Sequence, residues 1–327
     1  MQWKRIRYRL EWLGVKALIA VIPRLPRRAC AALARVVGSV AFAVDGRGRR
    51  VALANIEAAL GDQYTEAERR RIGRESYRNF ARTMLDLFWV PALAKPGGAK
   101  YVELTGTEVL DAIAGMPLVV MVTHCAGFEW ASLACGMRGY RGYTLTQAFK
   151  NPLLDQLFTS LRTYTGQEVI TQEMSMLRML RQVVKGNIVG MLIDLNLPPT
   201  QATTVIDTFG MKLCGTYLHA MLAQRAGARL IPVTSEPRPD GTCRVEIHPP
   251  LKIPEGATTQ EITQIAWDFF EKIIRKNPAS WMWTYKHWRY RPKGATHAYP
   301  FYANESGKFE KLMQTISEGN GKPGSAD

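Results

Sequence analysis

The stretch Leu118-Val119-Val120-Met121-Val122 is apolar, and it runs straight into Thr123-His124-Cys125-Ala126-Gly127-Phe128-Glu129-Trp130. An imidazole and a carboxylate therefore stand just beyond a strand-like run, with a glycine between them. In one continuous helix, five residues would rotate Glu129 by about 140° from His124, onto another face. A turn at Gly127 removes that objection and lets the carboxylate come back to the ring. Such a pair suits proton abstraction from an alcohol: Glu129 accepts the hydrogen bond of one ring nitrogen and fixes the tautomer, while the other nitrogen takes the hydroxyl proton. An acyl thioester attacked by that alcohol would need no nucleophile on the protein. On spacing alone, a histidine near a glutamate is more often structural than catalytic.

Cys125, beside the histidine, raises the alternative of a thiol nucleophile. Neighbours on an extended segment point to opposite sides, so Cys125 reads as packing. The five cysteines, Cys30, Cys125, Cys135, Cys214 and Cys243, are scattered without a CxxC, which fits reduced, cytoplasm-facing thiols.

Several elements must hold that segment in place. From Tyr101 onward, short β-rich runs (101–104, 118–122, 143–146, 188–193, 230–233 and 244–247) alternate with helical ones (128–137, 151–164, 173–185, 215–226 and 259–276). That alternation predicts an α/β fold, a mixed sheet covered by helices, with reactive residues at strand ends. Before it, residues 1–90 read as helical, including a segment opened by the capping-box pattern Thr65-Glu66-Ala67-Glu68. Pro91 and Pro96-Gly97-Gly98 mark the boundary to a catalytic unit spanning 101–293, and the Gly-, Ser- and Lys-rich 294–327 is expected to be a flexible tail.

Charge is uneven. The chain of 327 residues carries 43 Lys+Arg against 28 Asp+Glu, a formal +15, and residues 1–50 alone account for +10. The same 50 residues hold two interrupted apolar runs, 10–22 and 29–44, neither offering the roughly 18–20 uninterrupted apolar residues of a spanning helix. Trp3, Ile6, Leu10, Leu13 and Ala17 form one helical stripe. Basic and apolar together predict attachment at an anionic membrane surface, although the same periodicity would serve a helix packed on its own domain. No signal-peptide cleavage pattern follows the basic start, and charge returns at once in Pro23-Arg24-Leu25-Pro26-Arg27-Arg28.

His124 and Glu129, four residues between them, resemble the His-four-residues-acid motif of glycerolipid-type acyltransferases, and the surroundings are similar to the bacterial lipid A late acyltransferase family almost throughout, as far as Gly294. The likeness rests on Lys150-Asn151-Pro152-Leu153-Leu154-Asp155 followed by Arg162, and on the strand ending in Asp194. It continues through Thr203-Thr204, Thr208-Phe209-Gly210, the run Gly215–Gly227 before Ala228-Arg229-Leu230-Ile231-Pro232-Val233, and Pro278, Trp281-Met282-Trp283 and Arg291-Pro292. The resemblance implies a glycerolipid acyltransferase-like fold and transfer of an acyl chain from acyl carrier protein to a phosphorylated glycolipid, a lipid A precursor, at the cytoplasmic face of the bacterial inner membrane. It implies no metal and no cofactor beyond the acyl thioester co-substrate. Carried over by position, His124 is the base and Glu129 its partner, Lys150, Asn151 and Asp194 bind substrate, Asp194 matching a family acid at a strand end, and Arg162 binds substrate or steadies negative charge near the dyad. Where many relatives carry His-Arg after the Trp-x-Trp element this chain has Tyr285-Lys286, and an acid-glutamine pair is replaced by Asp194-Leu195, departures that bear on the acceptor.

The aromatic, basic block 281–291 could suggest base stacking, but no nucleic-acid module surrounds it, and nucleic acid is not expected as a partner. The rival from another class is a non-catalytic, membrane-peripheral lipid-binding protein whose working part is the basic N-terminal segment.

Overall fold

The computed structural model describes residues 2–93, 95–171, 175–200 and 203–319. Four long helices come first: α1 (Gln2–Val21), α2 (Arg27–Val44), α3 (Gly46–Leu60) and α4 (Glu66–Phe88), the last followed by the short α5 (Val90–Leu93). The expected capping box opens α4: Thr65 Oγ1 accepts the Glu68 N–H and the Glu68 carboxylate accepts the Thr65 N–H. An alternating region follows: β1 (Val102–Thr105), α6 (Thr107–Ala112), β2 (Leu118–Val122), α7 (Phe128–Met137), β3 (Gly142–Thr146), α8 (Pro152–Arg162), β4 (Glu168–Thr171), α9 (Ser175–Val184) and β5 (Ile188–Leu192). After it come the hairpin β6 (Thr203–Thr208) and β7 (Met211–Thr216), then α10 (Leu218–Ala226), β8 (Arg229–Pro237), β9 (Cys243–Ile247), α11 (Thr259–Lys276), β10 (Tyr290–Arg291), β11 (Asn304–Glu305) and α12 (Gly307–Gly319).

Seven strands form one mixed sheet in the order β1-β9-β8-β2-β5-β3-β4, in which the β8–β9 pair alone is antiparallel. Strand β2 sits at its centre, between β8 and β5, and is buried on both faces, which explains its unbroken apolar sequence. Helices α4, α7 and α8 cover one face with Leu85, Phe88, Trp130, Leu133 and Phe158. Helices α9, α10 and α11 cover the other with Met179, Val183, Leu222 and Phe270. A third cluster packs Ile56, Leu60 and Ile72 of the N-terminal helices against Phe209, Trp267, Trp281, Trp283 and Trp288.

Strand β4 and the β6–β7 hairpin are absent from the sequence reading. The helix expected over 215–226 begins only at Leu218, because Gly215 and Thr216 close the hairpin opposite Thr204 and Thr203. Of the helix expected over 173–185, residues 173–174 lie outside the described residues. The C-terminal segment, expected as a flexible tail from 294, instead carries β11 and α12, and Phe309 of α12 is fully buried beside Val205 and Cys214 of the hairpin. Leu312, Met313 and Ile316 pack beside it, an apolar face that the Gly-, Ser- and Lys-rich composition hid; residues 320–327 lie outside the described residues.

Helix α1 has no buried residue. Its Val15 and Ile19 lean on the domain, while Trp3, Ile6, Leu10, Leu13 and Ala17 all face away, Trp3 at 76% exposure. Helix α2 repeats the arrangement: Cys30, Ala31, Ala34, Gly38 and Phe42 are buried, and Val36, Val37, Val40 and Val44 are exposed. Among the described residues no single helix is long and apolar enough to cross a membrane; α2 and α3 satisfy length and composition only as a pair bent by 94°.

Candidate active site

Strands β2 and β5 are parallel neighbours in a register that sets Val122 opposite Leu192. His124 and Asp194 each lie two residues past those partners, so the two side chains emerge together at the carboxyl end of the sheet. Nδ1 of His124 is 2.8 Å from Asp194 Oδ1, and the His124 backbone N–H donates to Asp194 Oδ2 at 2.8 Å. The indole N–H of Trp281 donates to the same Oδ2, also at 2.8 Å. Asp194 is fully buried. Burial alone would raise its carboxyl, but the charge and hydrogen bond of His124, the charge of His287 and the Trp281 indole outweigh that and hold it at about 2. A carboxylate at Oδ1 is an acceptor, so the ring donates from Nδ1 and Nε2 is left for other contacts.

The bond expected for Glu129 thus belongs to Asp194. Gly127, at φ 74°, makes the expected turn, and a Cβ there would stand 2.8 Å from the Pro237 ring, so glycine is required on both counts. The turn starts α7, whose first turn directs Glu129 toward the end of α8. There Arg162 grips it: Nη2 to Oε1 at 2.6 Å, with Nε 3.1 and 3.2 Å from the two oxygens. Burial works against the guanidinium, but the charge and hydrogen bonds of Glu129 outweigh it and raise the Arg162 pKa. Phe128, next in the chain to Glu129, sets its ring edge-on to that of His124, with centroids 5.0 Å apart.

Of the other residues expected at the site, Asn151 caps α8, accepting the Leu153 N–H, and its amide donates to the Tyr8 carbonyl and to Glu11. It ties α1 to α8. Lys150 is exposed on the preceding loop. The Cys125 thiol accepts the Thr123 hydroxyl at 3.3 Å, and burial pushes it up to about 12, neither of which suits a nucleophile.

Sequence reasoning missed the use of the tryptophan block. Residues 280–282 lie antiparallel to 124–126, with Ala126 N–H donating to Ser280 O and Met282 N–H to His124 O, and a β-bridge joining Cys125 and Trp281. The block is held from behind, where Ser76 donates to Trp281 O and Asn55 to the carbonyls of Trp283 and Tyr285. Trp281, Trp283 and Trp288 are fully buried, and each indole N–H has an acceptor. Tyr285, one of the departures from the family pattern, donates to the Asn196 carbonyl and steadies the loop that follows Asp194.

Glu129 and Arg162 also line a cavity of about 90 Å³. It runs between α7 and the sheet past Phe128, Val122, Ser132, Leu145, Gly190 and Tyr140. Apart from Glu129 and Arg162 its walls carry no charge. Among the described residues no group of three or more His, Cys, Asp or Glu could hold a metal.

An imidazole hydrogen-bonded to a buried carboxylate thus stands at the ends of central parallel strands, its ring against Phe128, which lines an apolar slot. The chain belongs to the bacterial lipid A biosynthesis acyltransferase family, which it matches over residues 2–290. It is 24% identical over 310 residues to a lipid A biosynthesis lauroyltransferase of Escherichia coli (strain K12), covering 90% of this chain and 95% of that protein. The protein is therefore an O-acyltransferase of lipid A biosynthesis, and the alternative of a non-catalytic lipid-binding protein is set aside.

Proposed function

We propose that the protein moves a fatty acyl group from an acyl carrier protein thioester to a hydroxyl of a phosphorylated glycolipid, a lipid A precursor, with His124 as general base. The observation that carries this reading is the His124–Asp194 pair at the strand ends, its imidazole set against Phe128, which lines the apolar slot. The acceptor hydroxyl gives its proton to Nε2 while its oxygen attacks the thioester carbonyl. Asp194 stabilises the resulting imidazolium through Nδ1. When the tetrahedral adduct collapses, the C–S bond breaks and the imidazolium returns the proton to the departing thiolate. No acyl-enzyme forms.

Glu129 and Arg162 have a different role in this scheme. Arg162, aligned by Glu129, presents positive charge where the carbonyl oxygen becomes an oxyanion, and the slot beyond it takes the acyl chain. Lys150, exposed at the start of α8, meets a phosphate of the acceptor.

The exposed stripes of α1 and α2 lie in the lipid interface at the cytoplasmic face of the inner membrane, and the cations among them meet anionic headgroups. Residues 1–90 thus supply attachment and 101–293 the chemistry. The test is direct: purified protein, an acyl carrier protein thioester and a phosphorylated glycolipid acceptor, with products followed by mass spectrometry. A new acylated lipid that disappears with His124→Ala supports the reading; an acyl group hydrolysed without transfer defeats it.

A further inference from the structure

Helix α4 runs behind the site without contributing to the chemistry above, yet two of its residues reach the turn that carries Glu129. Thr83 and Asp86, three apart and so on one face of the helix, are 1% and 2% exposed. Thr83 Oγ1 accepts the Gly127 N–H at 2.9 Å, while its own hydroxyl donates to the Asn79 carbonyl at 3.0 Å. Asp86 Oδ2 accepts the indole N–H of Trp130 at 2.8 Å. The turn Gly127–Trp130 is therefore held at both ends, with Glu129 between them.

Asp86 is itself fixed. Its Oδ1 lies 2.6 Å from Nη2 of Arg27, the first residue of α2, and its Oδ2 lies 3.6 Å from Nε of Arg82. The Arg27 guanidinium also lies over the rings of Trp89 and Trp130. A carboxylate this deeply buried stands only with such partners. They leave its second oxygen aimed at the indole.

We propose that Thr83 and Asp86 are positioning residues for acyl transfer, holding the Gly127–Trp130 turn so that Glu129 meets Arg162 on the wall of the apolar slot. The inference rests on the function proposed above. Glu129 is joined to Arg162 by a forked contact, whose direction depends on the turn from which the carboxylate projects. A shift of the turn of the order of 1 Å would keep the fold and misplace the guanidinium, an error that costs roughly 100-fold in rate in well-aligned sites.

Asp86→Asn is the obvious variant, but it leaves Arg27 and Arg82 without their counter-charge and endangers folding. Thr83→Val and Trp130→Phe are cleaner, because each removes one polar atom and keeps most of the packing; Thr83→Ser restores the hydroxyl. Thr83→Val and Trp130→Phe should lower kcat by about 10- to 100-fold with KM for the acyl thioester within about threefold, and Thr83→Ser should recover most of kcat. Amide hydrogen exchange, which needs no turnover, should quicken across 124–131 in the first two variants and not in Thr83→Ser. If wild-type protein transfers no acyl group, the functional reading fails, and the exchange measurement alone decides the positioning role. Wild-type kcat in Thr83→Val and Trp130→Phe accompanied by lowered Tm, or unchanged exchange in 124–131, would overturn it.

Discussion

Asp194 holds His124 at two points, one carboxylate oxygen on the ring Nδ1 and the other on the backbone N–H, each at 2.8 Å. Both orientation and tautomer of the imidazole then depend on one buried side chain. Asp194→Asn keeps the shape but can turn an amide N–H toward Nδ1, which favours the wrong tautomer. His124→Ala and Asp194→Asn should each lower kcat by about 100-fold or more, and the double variant should be little worse than the worse single. Steady-state kinetics on the folded proteins checks this; near wild-type turnover in Asp194→Asn would sink the pairing as a catalytic device.

The sequence made half of this site visible. His124 past an apolar strand, and Gly127 as a turn, follow from local chemistry, as does the helix starting at Phe128. The partner does not. Glu129 is near in sequence, but Asp194 is near in space through strand order, since β5 pairs with β2 across 70 residues of chain, and nothing in either segment states that neighbourhood. Trp281 was hidden for the same reason. The β6–β7 hairpin escaped because Thr203–Thr208 and Met211–Thr216 are joined by only Phe209 and Gly210, and Phe209 takes φ 52°, a conformation rarely assigned to an aromatic residue. Its place becomes clear only from the ring stacked on Trp281.

Cys125 is the natural suspect for anyone seeking a covalent intermediate. Cys125 is half-buried, and desolvation raises its thiol to about 12 where it accepts the Thr123 hydroxyl. Cys125→Ser should therefore retain at least about half of wild-type activity, since it removes no participating group. Intact-mass analysis after rapid quenching should find no acylated protein; an acyl thioester on Cys125 would convert the mechanism to ping-pong.

The slot makes a prediction about chain length. Gly190 of β5 lines it, and a Cβ there would meet nothing closer than 3.8 Å, so a side chain can enter without backbone movement. Gly190→Leu should fill the slot and shift preference toward shorter acyl chains, with kcat/KM for the best wild-type chain falling by about 10-fold or more, at roughly 0.8 kcal/mol for each methylene denied burial. Competition between thioesters of different length would show it, and an unchanged preference would place the acyl chain elsewhere.

Two histidines predict how stability depends on pH. His219 and His287 are fully buried, and burial lowers each to about 4. Below the ordinary value near 6.5 the unfolded chain takes up protons that the folded chain refuses, so stability falls as pH drops from about 6.5 toward 4. Each contributes a slope of up to about 1.4 kcal/mol per pH unit in that window. Asp194 acts lower down, its stabilisation being lost only as pH falls from about 4 toward 2. Denaturant midpoints at pH 7, 6 and 5 should decline, and less steeply in His219→Gln; a flat profile would contradict the assignment.

Membrane attachment is the remaining prediction, and the exposed faces of α1 and α2 sharpen it. Leu10, Leu13, Val40 and Val44 are turned away from the domain, so replacing all four with serine should leave fold and Tm nearly unchanged. If those faces lie in the interface, the same change should move much of the protein from the membrane to the soluble fraction. The twelve cations among residues 1–50 add roughly 1 kcal/mol for each one near an anionic surface, and salt screens that share. High salt should thus weaken binding of intact protein to vesicles containing anionic lipid without abolishing it. A helix crossing the bilayer would behave otherwise, resisting salt and alkaline carbonate alike, because withdrawing a buried apolar segment costs far more than screening surface charge. Unchanged membrane retention of the quadruple serine variant after carbonate washing would defeat the interfacial reading, while leaving the assignment of His124 and Asp194 untouched.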